Sequence, residues 1–351
     1  MKIGFQDAPG SGMEAFRGPD QTRRRMTNQA NHHHPASYTR HDRISELPLI
    51  PPRWLVGGLL VTALVIAALM IRTRLAIDPA NWAVGALLAA LGGLSVIRLR
   101  THGAATRHQL RWRDFSESAL VMVLICVLGA VGSYAAAAET SGFYDASLAR
   151  ADQMLHFDWL VLYRLVVSHP VLQHLGAAAY GSIFLSPWAL LGWMAWHGER
   201  ARAYEFLTVF WFASVLTLVL FPLFPARGAL EFLWHGPISY MPTNGLYQGE
   251  IIPALRSHAM THIELGSVRG LVCAPSFHTV CAVIYMVTAW PIPLLRRMLI
   301  PLNATMLLAT PVEGTHYLSD MILGALVAFT AIALVRAAGA LLRGLGDRRA
   351  A

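Results

Sequence analysis

Apolar residues come in eight runs along the chain, at about 54–71, 82–97, 118–138, 176–196, 203–221, 273–292, 297–312 and 320–337. Each approaches the roughly 20 residues a helix needs to cross the hydrocarbon of a bilayer. The pattern predicts an all-α integral membrane protein with about eight transmembrane helices. Residues 1–52, rich in Arg, His and Pro and without periodicity, read as a disordered cytoplasmic tail. Residues 53–98 hold the first two runs and form an additional transmembrane hairpin. The polar stretches between runs are long at 139–175 and 222–272 and short at 313–316. Segment 143–175 mixes apolar and polar residues at helical spacing and is broken at Pro170, which predicts one or two amphipathic helices lying in the interface.

Composition supports the membrane assignment. A chain of 351 residues with 55% hydrophobic and 14% charged residues has too few charges to cover a soluble domain of that size. The net charge of +8 could suggest nucleic acid, but the arginines gather at helix ends and in the tail, so no nucleic-acid partner is expected. Lys2 is the single lysine, which leaves arginine as the internal cation. Arg98, Arg100, Arg107, Arg111 and Arg113 crowd one short loop and mark it as cytoplasmic. With eight spans, both termini share that side, and the segments 139–175, 222–272 and 313–316 meet on the other. Cys126, Cys273 and Cys281 have no metal-ligand spacing and read as buried packing thiols.

The candidate chemistry lies where two spans begin on that outer face, at "CAPSFHT" and "GTHYLSD". The unpaired amides of a helix N-terminus make a pocket suited to an anion such as phosphate. His316 and Asp320 are i and i+4 on one face, so the carboxylate can take a proton from one ring nitrogen and leave the other as a directed lone pair. A carboxylate near the bilayer is costly, about 2.5–3.5 kcal/mol at mid-span and less near an end, unless it is paired. His278, preceded by Pro275 and Ser276, brings a second imidazole that can protonate a departing alcohol, and Ser276 can cap the helix or hold a phosphate oxygen.

"PSFH" and "GTHYLSDMILG" resemble the second and third signature motifs of the type 2 phosphatidic acid phosphatase superfamily. The resemblance implies a six-helix core over about 117–340 and a His–His–Asp triad, with His316 attacking phosphorus through a phosphohistidine intermediate. Asp320 would orient it and His278 would act as acid. No cofactor and no metal is implied. The chain departs from the usual phosphatase in having no first-motif Lys, Thr310 where an Arg stands six residues before the His, and Phe277 where the second motif has Gly. These departures resemble the branch of inositolphosphorylceramide and sphingomyelin synthases, whose acceptor is often a lipid alcohol. "DASLARADQMLHFDW" and "FPLFPARG" are similar to segments of bacterial members described as inositolphosphotransferase-like. Arg227, Ser276 and Arg269 are the candidates for holding the phosphate. A site with few cations suits a phosphodiester monoanion better than a phosphomonoester dianion.

The expectation is a metal-independent phosphatase or phosphotransferase acting on a lipid phosphate or phospholipid headgroup. Its setting would be the inner membrane of a bacterium, with the site on the periplasmic side. The rival expectation is a non-enzymatic haem-binding or ion-conducting bundle using the same histidines.

Overall fold

The computed structural model describes residues 50–350. The tail expected over 1–52 falls almost wholly outside these residues. The chain is a helical bundle built from α1 (Pro52–Thr73), α2 (Trp82–Arg100), α3 (Arg107–Ala138), α4 (Asp145–Met154), α5 (Trp159–Val167), α6 (Pro170–Gly181), α7 (Ser186–His197), α8 (Arg200–Leu220), α9 (Ala229–Leu233), α10 (Gln248–Arg256), α11 (Phe277–Ala289), α12 (Pro293–Glu313) and α13 (Leu318–Ala350).

Among the described residues, five helices are long and apolar enough to cross a membrane: α1, α2, α3, α8 extended to Leu223, and α13. The pair Pro170–Phe184 and Ser186–His197, bent by 46°, makes a sixth if it is one span. The expected count of eight is reached only if α11 and α12 also cross. At 13 residues α11 is about 20 Å long, short of the roughly 30 Å hydrocarbon core. In α12, Pro301 and Pro311 interrupt the helix interior, and Arg296 and Arg297 dilute its first turns.

The bundle core forms where α3, α7, α8, α11 and α13 meet, around Met122, Leu190, Leu207, Ala282 and Ala328. Phe210 of α8 stacks on Tyr285 of α11, an offset-ring contact worth about 0.5–1.5 kcal/mol beyond its buried area. Buried Asn303 of α12 is paired as burial demands, its Nδ2 donating to Ser186 Oγ of α7 at 3.1 Å. α3 starts well before its apolar run because Thr106 and Gln109 form a reciprocal capping box. The turn between α1 and α2 is held to the opposite long loop by two short parallel strands, β1 (Ala76–Ile77) and β2 (His262–Ile263), and by Asn81 Oδ1, which accepts from Gly266 N–H.

Segment 143–175 holds α4, α5 and the start of α6, where one or two helices were expected. α5 packs against α12 and buries Trp159 and Tyr163, stacked with ring centroids 5.2 Å apart, while Trp159 Nε1 donates to the Pro311 carbonyl at 2.8 Å. On α4 the carboxylates Asp145 and Asp152 are buried. Pro170 opens α6 at its first turn, where a missing N–H costs nothing.

Candidate active site

α12 ends at Glu313, and the chain turns through Gly314 and Thr315, the latter at φ 54°, before α13 begins at Leu318. Glu313 anchors this turn. Its carboxylate is buried and accepts from Tyr240 Oη at 2.6 Å, Thr243 Oγ1 at 2.7 Å and Thr243 N–H at 3.0 Å. The Arg227–Gly228 segment docks on the other side, where Ala229 N–H donates to the Thr315 carbonyl at 2.7 Å. Gly228 has φ 107°, and a Cβ there would lie 2.5 Å from Thr315 Oγ1, so only glycine fits.

The turn delivers His316 and Asp320 to one another. His316 Nδ1 lies 2.9 Å from Asp320 Oδ1, with the two residues 3% and 0% exposed. Asp320 Oδ2 accepts from Tyr317 N–H at 2.8 Å and from the Cys273 thiol at 3.5 Å. Both carboxylate oxygens are therefore committed, and an ionised carboxylate assigns the imidazole proton to Nδ1. Nε2 is left as a lone pair, suited to act as nucleophile or base.

The fold does not assemble the expected His–His–Asp triad. The buried cluster that the fold assembles is Cys273, His316 and Asp320, whose donor atoms lie within 4.8 Å of one another. His278 is not part of it. Its ring centroid is 6.4 Å from that of His316, and the ring stacks on Tyr180 at 3.8 Å. Spacing along the sequence brought both histidines to a helix start but could not rank their distances from Asp320 against that of a cysteine preceding α11.

A thiol, an imidazole and a carboxylate are a donor set that zinc accepts. The Sγ to Oδ2 separation of 3.5 Å matches two ligands on one tetrahedral ion, but Nδ1 and Oδ1 at 2.9 Å are closer than the ~3.3 Å such ligands keep. A metal would have to part the His–Asp hydrogen bond. The geometry fits the bonded pair better than the ion.

The candidate phosphate-binding residues are dispersed. Ser276 caps α11, its hydroxyl accepting from Thr279 N–H at 3.4 Å and Thr279 Oγ1 at 3.2 Å, and its N–H donates to the Asp320 carbonyl at 3.1 Å. Among the described residues, the amides of Phe277 and His278 in the first turn of α11 have no acceptor. At α13 the opposite holds: Asp152 carboxylate oxygens take the amides of Leu318 and Ser319, so the anion pocket expected there is already filled. Arg227 is exposed, 3.8 Å from Glu231 and over the Phe143 ring, with Arg256 over the same ring. Burial raises the Glu231 carboxyl above its ordinary value, opposed by Arg227, and lowers the Arg256 guanidinium. Arg269 contacts Tyr134 and Tyr247 instead of the dyad. Thr310, where the resemblance would have an Arg, folds its hydroxyl onto the Met306 carbonyl of its own helix.

The family model of the PAP2 superfamily matches residues 146–334, more than half of the chain. The chain belongs to the PAP2 superfamily. The matched span runs from α4 through about half of α13 and contains Arg227, Cys273, Ser276, His278, His316 and Asp320. Membership in the PAP2 superfamily supports an enzymatic activity of the kind that superfamily carries, and with the apolar helices it is consistent with a membrane-associated substrate. It speaks against the rival haem or ion-conducting bundle. No curated protein and no solved structure matches the chain significantly.

Sequence reasoning overlooked several residues that build the site: Cys273, Tyr180, Tyr317, Asp145, Asp152 and Glu313. A signal existed for two of them. Asp145 and Asp152 are seven residues apart, on one face of a helix otherwise flanked by apolar positions.

Proposed function

We propose that the protein transfers a phosphoryl or substituted phosphoryl group at the His316–Asp320 dyad, with a membrane-resident phosphate ester as substrate. The observation that carries this is the buried His316 to Asp320 bond of 2.9 Å in a PAP2 superfamily chain. Asp320 holds the imidazole so that Nε2 is the reactive atom, and Cys273 and Tyr317 N–H hold Asp320. The free first-turn amides of α11, with Ser276 at its cap, support an anion seat there. Arg227 and Arg269 remain the candidate guanidiniums for the ester's remaining charge, and His278, its ring centroid 6.4 Å from that of His316, is a second imidazole beside the dyad.

Thr310 in place of a guanidinium supports a singly charged phosphodiester over a phosphomonoester, and so an alcohol acceptor of the inositolphosphotransferase-like kind over water. The arginine-rich segment 98–113 supports a cytoplasmic position for both termini and a site on the periplasmic side of a bacterial membrane.

The test is product analysis by phosphorus NMR. Wild type and His316→Ala, in lipid nanodiscs, are incubated with a phospholipid panel, lipid phosphates, inositol and ceramide. A new phosphodiester formed by wild type alone is expected. Free phosphate from a lipid phosphate would make the enzyme a phosphatase, and equal turnover by His316→Ala would refute the dyad.

A further inference from the structure

Two buried carboxylates take no part in the chemistry assigned above. Asp145 and Asp152 are 1% and 3% exposed, and neither is paired with a cation among the described residues. They sit two turns apart on α4, on the face turned to the start of α13. A buried carboxylate is expensive unless its oxygens are bonded, and here every bond goes to one of two segments. Asp145 accepts from Gly228 N–H at 3.0 Å, from Arg227 N–H at 3.1 Å and from Tyr317 Oη at 3.0 Å. Asp152 uses one oxygen for Leu318 N–H at 2.9 Å and the other for Ser319 N–H at 2.8 Å.

We infer that Asp152, seconded by Asp145, is a positioning residue for the His316–Asp320 dyad; this rests on the phosphoryl-transfer reading above. The first turn of α13 has amides at 317, 318 and 319 that lack acceptors within the helix. Asp320 lies at N3, where its own carboxylate reaches back to Tyr317 N–H. Without Asp152, the amides of Leu318 and Ser319 compete for the same carboxylate and draw Oδ1 away from His316. Asp152 satisfies both from a different helix, and its charge favours that helix end. Asp320 then keeps one oxygen for the imidazole. Asp145 ties Tyr317, between the two dyad residues, to the Arg227 segment, so the dyad and the candidate phosphate-binding arginine share one support.

The test uses the full chain in nanodiscs. In Asp152→Asn an NH2 must face one of the two amides, since each carboxylate oxygen now serves one. The expected result is a fall in kcat of about 10- to 100-fold, the effect of a displacement near an ångström, with KM within about threefold of wild type. Leu318→Pro removes the donor instead, at a first helical position where proline is tolerated, and is expected to act in the same direction. Combining the two is expected to cost less than the product of the single effects, because both break one contact. Hydrogen exchange of the wild type supplies a readout that needs no turnover and no variant: slow exchange at Leu318 and Ser319 is expected, and exchange as fast as in an open loop would overturn the cap. A folded Asp152→Asn enzyme with unchanged kcat overturns the inference alone. A wild type inert on every phosphate ester overturns the phosphoryl-transfer reading and the positioning role with it.

Discussion

Gly324 is where α13 crosses the start of α11, and replacing it with alanine perturbs both stability and turnover. A Cβ at this position would press on the Ser276 carbonyl oxygen closer than Cβ atoms approach any neighbour, and would meet Thr279 Cβ at 3.2 Å and the Ser276 carbonyl carbon at 3.3 Å. Two of those three atoms are backbone and cannot rotate away. Relief requires the helices to part by about an ångström, and overpacking of this kind costs about 1–3 kcal/mol. The same crossing carries the Ser276 N–H to Asp320 carbonyl bond of 3.1 Å, so parting moves the α11 amides and His278 away from the dyad. A shift of that size reduces turnover about 100-fold. Gly129, inside α3 with open space for at least 4 Å around the place a Cβ would take, is the matched control. There alanine is expected to be neutral or to stabilise by up to about 1 kcal/mol through helix propensity. Thermal unfolding in detergent, read with phosphoester turnover of both variants, decides the matter. Gly324→Ala with wild-type melting and wild-type activity would show that the crossing is not as close as described.

Tyr180 holds the His278 ring by stacking at a 3.8 Å centroid distance, so Tyr180→Phe, which keeps the ring, is expected to retain turnover within about threefold, whereas Tyr180→Ala opens a void costing about 3–5 kcal/mol and lowers kcat; equal kinetics for the two variants would detach His278 from this support. Chelators are expected to leave activity unchanged, because the Nδ1 to Oδ1 bond occupies the ligands a metal would need. Loss of activity on chelation, restored by zinc and abolished in Cys273→Ala, would assign the Cys273, His316 and Asp320 cluster to a metal instead.

Local pattern alone determined that the chain is helical and membrane-embedded, because apolar run length and arginine placement report directly on the bilayer. The i, i+4 spacing of His316 and Asp320 was equally legible, since one helix turn sets their distance whatever surrounds it. Span count was less so: run length could not see that α11 is only 13 residues long or that residues 170–197 bend by 46° between two helices. What surrounds the dyad was decided by tertiary structure. Cys273 reaches Asp320 across 47 positions of chain, and Asp152 reaches Leu318 across 166. No periodicity encodes such distances. Asp152 lies on a short polar segment, where a carboxylate normally seeks solvent. It is buried because the unpaired amides of another helix offer it the hydrogen bonds that water would otherwise supply.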